Sequence, residues 1–522
     1  MSPKRHLIRW LLVVVLLAVC APPPLTGLAA SSSGELLVRI WLAAPEADAA
    51  QLAQAPLLAL ARESLPQPYI LARSDEAGLT WLAAHGFVSE VLDRRADTAR
   101  YVMQDKTGPE RSADLFAGGQ LLYADESRAL WRLAAGAEVQ VSHDAWPLDT
   151  VIHLQPRALA PLPAVVTPLP LVQEMIDQVN LPRLLTSANE LSGQTAALIN
   201  GQPYTITSRY SVSGAPVTQA VNYMSERLQR LGLTVSTQTW NVNRPPNVIA
   251  EKPGLNPGAG IVILCAHLDD MPSSGLAPGA DDNGSGSIAV LHAAEILTPY
   301  HFDATLRFVL FTGEEQGLYG SAAYAQLVQS EDVRGVLNMD MIAWDNVGAP
   351  NMDLHANSSL AGSMTLAQLY ADVVSAYSIN LVPAIYSNGS SASDHASFWA
   401  VGIPAFLVIE NYRSDPGIAS DFNAYYHTSN DRVAYYNQTF LSNMTKASLA
   451  TFAHMAAVRT DCYWADLNCD AAVTALDITM MASHWPASQG QWNYSRVYDT
   501  DDDGQVTIVD IQRVAAAWGW SG

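Results

Sequence analysis

The chain has 522 residues, 49% of them hydrophobic, with 50 acidic against 28 basic side chains and a formal net charge of −22. Roughly three domains fit that length at ~100–200 residues each. The acidity excludes a nucleic-acid binder, which needs basic patches, and suits a protein that stays dissolved outside a cell. The start, MSPKRHLIRW, is basic, and LLVVVLLAVC, prolines and small residues at 27–30 follow. Residues 1–30 therefore read as a secretory signal peptide, too short and wrongly flanked for a membrane span. No later segment is long enough to cross a bilayer, so the mature protein is expected to be secreted, with no membrane attachment. Residues 35–155 contain an internal repeat: PYILARSDEAGLTWLAAHGFVSEVL (68–92) parallels GQLLYADESRALWRLAAGAEVQVS (119–142). Each unit reads strand, short helix ending near glycine, strand, a small α+β region. Neither carries a metal or nucleophile constellation, which makes the region an accessory or pro-domain. The prolines of 156–171 favour an extended linker.

Residues 172–460 alternate between strand and helix patterns. IVILCA (261–266), TLRFVLF (305–311), VLNMDM (336–341) and PAFLVIE (404–410) are apolar runs of strand length, as expected for parallel strands buried on both faces. TQAVNYMSERLQRL (218–231) and GSGSIAVLHAAEIL (284–297) read as helices. Such alternation predicts an α/β domain with a mainly parallel mixed sheet flanked by helices. In sheets of that kind, ligands bind beyond the carboxyl ends of the strands.

Acidic and histidine residues gather at those ends. They are His267 in AHLDD, Asp281 in PGADDNGSG, Glu314 and Glu315 in TGEEQGLYGS, Asp340 in NMDM and His427 in YYHTSND. Two histidines and four carboxylates can supply two zinc ions and one general base. Zinc takes imidazole nitrogen and carboxylate oxygen, and a two-metal site needs a ligand shared by cations roughly 3.5–4 Å apart.

With HLD, PGADDNGSG, GEEQGLYGS, NMDM, SDHASF (393–398) and YHTSND (426–431) in this order, residues 172–460 resemble the co-catalytic di-zinc aminopeptidases, metallopeptidase family twenty-eight. LSGQ, SRYSVSG and NVIAEKPG upstream resemble that family too. The resemblance implies a zinc exopeptidase fold, two Zn2+ ions, and peptide substrates with a free N-terminus. It places His267 and Asp340 on one zinc, Glu315 and His427 on the other, and Asp281 between them. Glu314 resembles the general base, and Asp269 the carboxylate that accepts the other imidazole proton of His267. Tyr426 resembles an oxyanion-stabilising tyrosine; other members place theirs near the SDH segment, where this chain has Ser390, Ser391 and Ser393. The family's cis peptide after the bridging aspartate is expected between Asp281 and Asp282. His292, His355, His395 and His454 read as packed or buttressing imidazoles, and Cys265 as a core thiol.

The tail, 461–522, carries two oxygen-rich loops: Asp466, Asn468, Asp470, Thr474 and Asp477, then Asp499, Asp501, Asp503, Thr507 and Asp510. These are the first, third, fifth, ninth and twelfth places of a calcium loop. With helices ITMMASHW and IVDIQRVAAAW following, the tail looks like a dockerin duplication, which implies a small α-helical domain that binds Ca2+ and could either dock onto a cohesin-type partner or serve as a calcium-folded end cap. Gly504 holds the sharp-turn position of the second loop, whereas the first has Ala471. Cys462 and Cys469 could pair in an oxidising compartment or stay free. The reading is thus a secreted metallo-aminopeptidase. Its alternatives are a carboxypeptidase of the same clan, for which Arg413 could hold a terminal carboxylate, and a non-catalytic binding protein acting through its tail.

Overall fold

The computed structural model describes residues 166–414 and 419–522. Before them it describes 35–43, 48, 51–63, 68–96, 99–106, 119–124, 128–133 and 145–148. The expected signal peptide and residues 156–165 of the expected linker lie outside the described residues.

Among the described residues, the N-terminal region forms two four-stranded antiparallel sheets. The first is ordered Leu58–Glu63, Tyr69–Ser74, Leu36–Trp41, Ser89–Asp93, and the second Gln120–Ala124, Arg128–Leu133, Arg100–Asp105, Ala145–Pro147. The first repeat unit forms as expected: strand Tyr69–Ser74, helix Glu76–Ala84 and strand Ser89–Asp93. Asp75 caps that helix by accepting from Gly78 N. The second unit differs. Where LWRLAA predicts a helix, Arg128–Leu133 is a strand hydrogen-bonded on both sides, to Arg100–Asp105 and Gln120–Ala124. Leu130 and Leu133 are buried there, and pairing on both edges overrides the helical propensity of Ala, Leu and Arg.

The large sheet has eight strands: β1 (Thr234–Gln238), β2 (Asn247–Lys252), β3 (Ile261–His267), β4 (Thr305–Phe311), β5 (Val333–Met339), β6 (Asn351–His355), β7 (Val382–Tyr386) and β8 (Ala405–Glu410). Their order is β1-β2-β4-β3-β5-β8-β6-β7. The four expected apolar runs become the adjacent parallel strands β4, β3, β5 and β8, while β2 joins β4, and β6 joins β8, antiparallel. The central strands carry Val262, Leu264, Phe308, Leu310, Leu337 and Val408 into the core between sheet and helices. Helix Gly286–Leu297 is apolar nearly all round and buried, as a helix enclosed by others must be; helices Leu181–Leu191, Ala215–Arg230 and Gln438–Met455 surround it.

In the tail, helices Ala475–Ser483 and Ile508–Ala516 each begin with a capping box, Thr474 with Asp477 and Thr507 with Asp510. They share a small core of Leu467, Val473, Met481, Tyr498, Val506 and Val514. Cys462 and Cys469 are disulfide-bonded, with Cα atoms 5.4 Å apart, and Cys265 is a buried free thiol. Among the described residues no helix is long and apolar enough to cross a membrane.

Candidate metal centre

The parallel strands aim their carboxyl ends at one pocket. His267 is the last residue of β3, Asp340 follows β5, and Glu314 and Glu315 stand in the turn after β4. His267 Nε2 lies 3.3 Å from Asp340 Oδ1, 3.3 Å from Asp282 Oδ1 and 3.9 Å from Glu314 Oε2. His427 Nε2 lies 2.9 Å from Glu315 Oε2 and 3.2 Å from Asp282 Oδ2. The two oxygens of Asp282 therefore face one histidine each.

That geometry corrects the expected bridge, because Asp281 does not lie between the histidines. Its carboxylate accepts from Ala343 N and from Asn423 Nδ2, both at 2.9 Å, and it meets the carboxyl group of Glu410. Asp282 has extended backbone angles (φ −100°, ψ 99°), and along extended chain successive side chains point to opposite sides. One aspartate of the pair faces the pocket and the other the scaffold. The cis peptide lies between Asp282 and Asn283, one bond later than expected. The role expected for Asp269 is corrected as well. His267 Nδ1 is 3.2 Å from the backbone carbonyl of Asp269, against 3.9 Å from its carboxylate. The carboxylate accepts from Glu314 N (3.2 Å) and from the Ser211 hydroxyl (3.1 Å), so it positions the backbone of the glutamate pair.

Residues scattered along the chain support these groups. Asp431 accepts from Asp281 N at 3.0 Å and Asp282 N at 2.9 Å, tying the loop of His427 to the loop of Asp282. The Ser393 hydroxyl donates to Asp340 Oδ2 (2.7 Å) and accepts from Asn338 Nδ2 (2.8 Å). His395 Nε2 meets Ser390 O (2.8 Å), the expected buttress. Arg209, fully buried, donates to Leu268 O, Pro278 O and Gly279 O at 2.7–2.8 Å and pairs with Asp270. The SRYSVSG segment thereby clamps both the His267 and the Asp282 loops. Gly279 is required at the turn: its φ is +43°, and a Cβ would stand 2.5 Å from Asp282 O. Tyr426 stacks on the His427 ring (centroids 3.7 Å) and packs edge-on against Phe422. Arg413 lies over the rings of Tyr386 and Tyr412. His292 is packed, accepting from Asn180 N.

Asp394, Glu410, Asp431 and Asn423 were not singled out from the sequence. Glu410 offered a signal, a charge ending an apolar strand at the ligand-binding edge. Buried carboxylates abound here: Asp269, Asp270, Asp281, Asp282, Glu314, Glu315, Asp340 and Asp394 are all at most 5% exposed. Burial pushes the carboxyl groups of Glu315 and Asp394 up to about 7, and raises Glu314 against the pull of His267. Burial also opposes ionisation of Asp282, yet the imidazoles of His267 and His427 beside its two oxygens hold it well below the ordinary range. Asp282 Oδ2, Glu315 Oε1 and His427 Nε2 are buried without a well-formed hydrogen bond. Converging hard oxygen and imidazole donors left in this state fit bound cations. His267, Asp282 and Glu315 could share one set of ligand atoms, and His267, Glu314 and Asp340 another, each within 4.8 Å.

In the tail, the two loops repeat one backbone. Asp466 accepts from Asp470 N and Ala471 N, and Asp499 from Asp503 N and Gly504 N. Ala471 (φ +68°) and Gly504 (φ +84°) both take the left-handed conformation, which costs an alanine roughly 1–2 kcal/mol. Carboxylates of Asp499, Asp501 and Asp510 converge within 4.8 Å.

A carboxylate-rich pocket with two histidines, set on the carboxyl edge of parallel strands, defines the class of α/β metal-site domains. Within that class, residues 247–452 match Peptidase family M28, and residues 465–517 match the Dockerin type I domain. The chain thus carries an M28 domain followed by a dockerin domain. A probable leucine aminopeptidase of Arthroderma otae is 32% identical over 225 residues, 40% of this chain and 57% of that protein. Aminopeptidase Y of Saccharomyces cerevisiae is 34% identical over 164 residues, 30% of this chain and 29% of that protein. The chain spans a little over half the length of the first of these relatives. Two solved structures from Legionella pneumophila, LapA aminopeptidase and LapB, share the fold at 17% identity. Their TM-scores are 0.51 and 0.52, and each match covers 69% of this chain and nearly all of theirs, 98% and 99%.

Proposed function

We propose that the protein is a secreted di-zinc aminopeptidase that hydrolyses the N-terminal peptide bond of peptides. The observation that carries this reading is Asp282, whose two oxygens face His267 and His427. Asp340 lies beside His267 and Glu315 beside His427. His267 and Asp340 would hold one zinc, Glu315 and His427 the other, and Asp282 would serve both. When bound, the ions supply Lewis acidity at the scissile carbonyl and at the attacking water. Glu314 takes the proton of that water on its carboxylate and delivers it to the leaving amine nitrogen. Asp269 fixes the Glu314 backbone, and Tyr426 is the candidate donor to the oxyanion. Aminoacyl and N-blocked dipeptides, offered to the zinc-loaded protein, separate the readings: cleavage only of the free-amine series supports an aminopeptidase. Turnover of the blocked series with release of the C-terminal residue would replace this reading with a carboxypeptidase.

The region before residue 172 is proposed to restrain activity or assist folding. Arg128 Nη2 donates to Gly389 O (3.4 Å) and Arg100 Nη2 to the Tyr319 hydroxyl (3.4 Å), and Ala392 packs into the N-terminal core with Tyr101 and Leu130. Both contact points adjoin loops that carry site residues, at Glu315 and Ser393. A protein spanning 172–522 should therefore differ from the full chain by severalfold in turnover or in soluble yield. Equal values of both would remove the proposal.

The tail is proposed to bind two Ca2+ ions and to have a cohesin-type partner. Because Ala471 is strained where Gly504 is not, the second loop should bind more tightly. By calorimetry on the full chain, Asp499→Ala should abolish the tighter of two calcium events and Asp466→Ala the weaker.

A further inference from the structure

The calcium module is not strung on a free tether. Where the chain leaves helix Gln438–Met455 it is stitched back at once to the segment before β4. Asp303 N donates to Ala457 O (3.0 Å), Ala304 N to Ala456 O (3.1 Å), and Arg459 N to His301 O (2.8 Å). The Arg459 guanidinium then pairs with Asp303 at 3.1 Å and with Asp461 at 2.6 Å.

The first acidic loop, and the segment just before the second, also touch the peptidase domain through their backbones. In the first loop, the Leu467 carbonyl faces His301 Nε2 at 3.0 Å, while the Leu467 N–H is held by Asp477 Oδ1 at 2.8 Å. Leu467 therefore joins two proposed cation ligands, Asp466 and Asn468, to the peptidase domain. Just before the second loop, Arg496 N donates to Gln178 Oε1 (3.5 Å). Gln178 in turn donates to the Tyr300 hydroxyl (2.5 Å), which donates to Glu174 (2.6 Å). Val497 packs against both hydrophobic cores, that of the sheet domain and that of the tail. Two residues later comes Asp499. A cavity of about 560 Å³ opens along this seam, with Glu174, Tyr300 and His301 on one side and Asp466, Arg496 and Asp499 on the other.

From these contacts we infer that the C-terminal module is a built-in brace of the peptidase domain, and that calcium in its loops steadies helix Pro170–Asp177 and the 300–304 segment through Leu467 and Val497. The inference rests on the calcium reading of the tail. A cation that orders the loops fixes the Leu467 carbonyl and the 496–498 backbone, which are the tail's half of the seam. If seam and loops open together, opening is suppressed by the factor 1 + [L]/Kd, about a hundredfold at a hundredfold excess of calcium over Kd.

The test uses the full chain, zinc-loaded and freed of calcium, titrated with calcium chloride while calorimetry and amide hydrogen exchange are followed. Exchange at 170–178 and 300–304 should slow by up to about a hundredfold on saturation. His301→Ala and Val497→Ala should both still bind calcium, with that slowing reduced in each. Calcium heat without slower exchange at 170–178 would overturn the brace and leave the calcium reading standing. No heat at all would overturn the calcium reading, and the brace with it. Slowing that persists undiminished in both variants would overturn the route through the seam.

Discussion

Asp282→Asn should strip both zinc ions from the protein, and with them nearly all turnover. Asp282 faces both histidines, at 3.3 Å and 3.2 Å, so its loss removes an anionic donor from each proposed metal position at once. The neighbouring Asp281→Asn leaves the pocket-facing donors in place and disturbs only the packing against Ala343, Asn423 and Glu410. Changes to groups that support ligands commonly cost 10–100-fold in metal affinity, and Asp282→Asn should exceed that range. Metal content after dialysis against a zinc buffer decides the matter. If Asp281→Asn loses both ions and Asp282→Asn keeps them, the bridge belongs to Asp281 after all.

Glu314→Gln should keep both ions and lose about 10²–10⁴ in kcat, the usual worth of a positioned proton carrier. Its carboxylate stands 3.9 Å from His267 Nε2, farther than Asp282 or Asp340, which suits a group beside the metals rather than one binding them. The amide preserves shape and the hydrogen bond from Glu314 N to Asp269, so KM should change little. Glu315→Gln should instead weaken the ion beside His427. Zinc loss from the Glu314 variant, with full zinc retained by the Glu315 variant, would exchange the two roles.

The four central strands were legible because burial on both faces leaves an unbroken apolar run, and β3, β4, β5 and β8 are such runs. The strand-end positions of His267 and Asp340 followed from the same reading, as did the nearness of Glu314 and Glu315 to β4. What was hidden is orientation. Asp281 and Asp282 are adjacent and chemically identical, and only the extended backbone at 282 decides which one enters the pocket. Partners brought in from far along the chain were hidden too. Nothing local distinguishes Asp431 as the acceptor of two amides about 150 residues upstream, or Arg209 as the clamp on Gly279. In the N-terminal region, RALWRL has the composition of a helix, and two neighbouring strands made it a strand.

The disulfide between Cys462 and Cys469 closes a ring around Asp466 and Asn468, the first proposed cation donors of the first acidic loop. Such a bond persists where thiols oxidise and is scarce where glutathione keeps them reduced. Material made in a reducing cytosol and material folded in an oxidising space should then be two chemically distinct products at this end. In the reduced product the strained Ala471 turn would lose its covalent fastening, so the place of synthesis becomes a variable for every measurement on the tail.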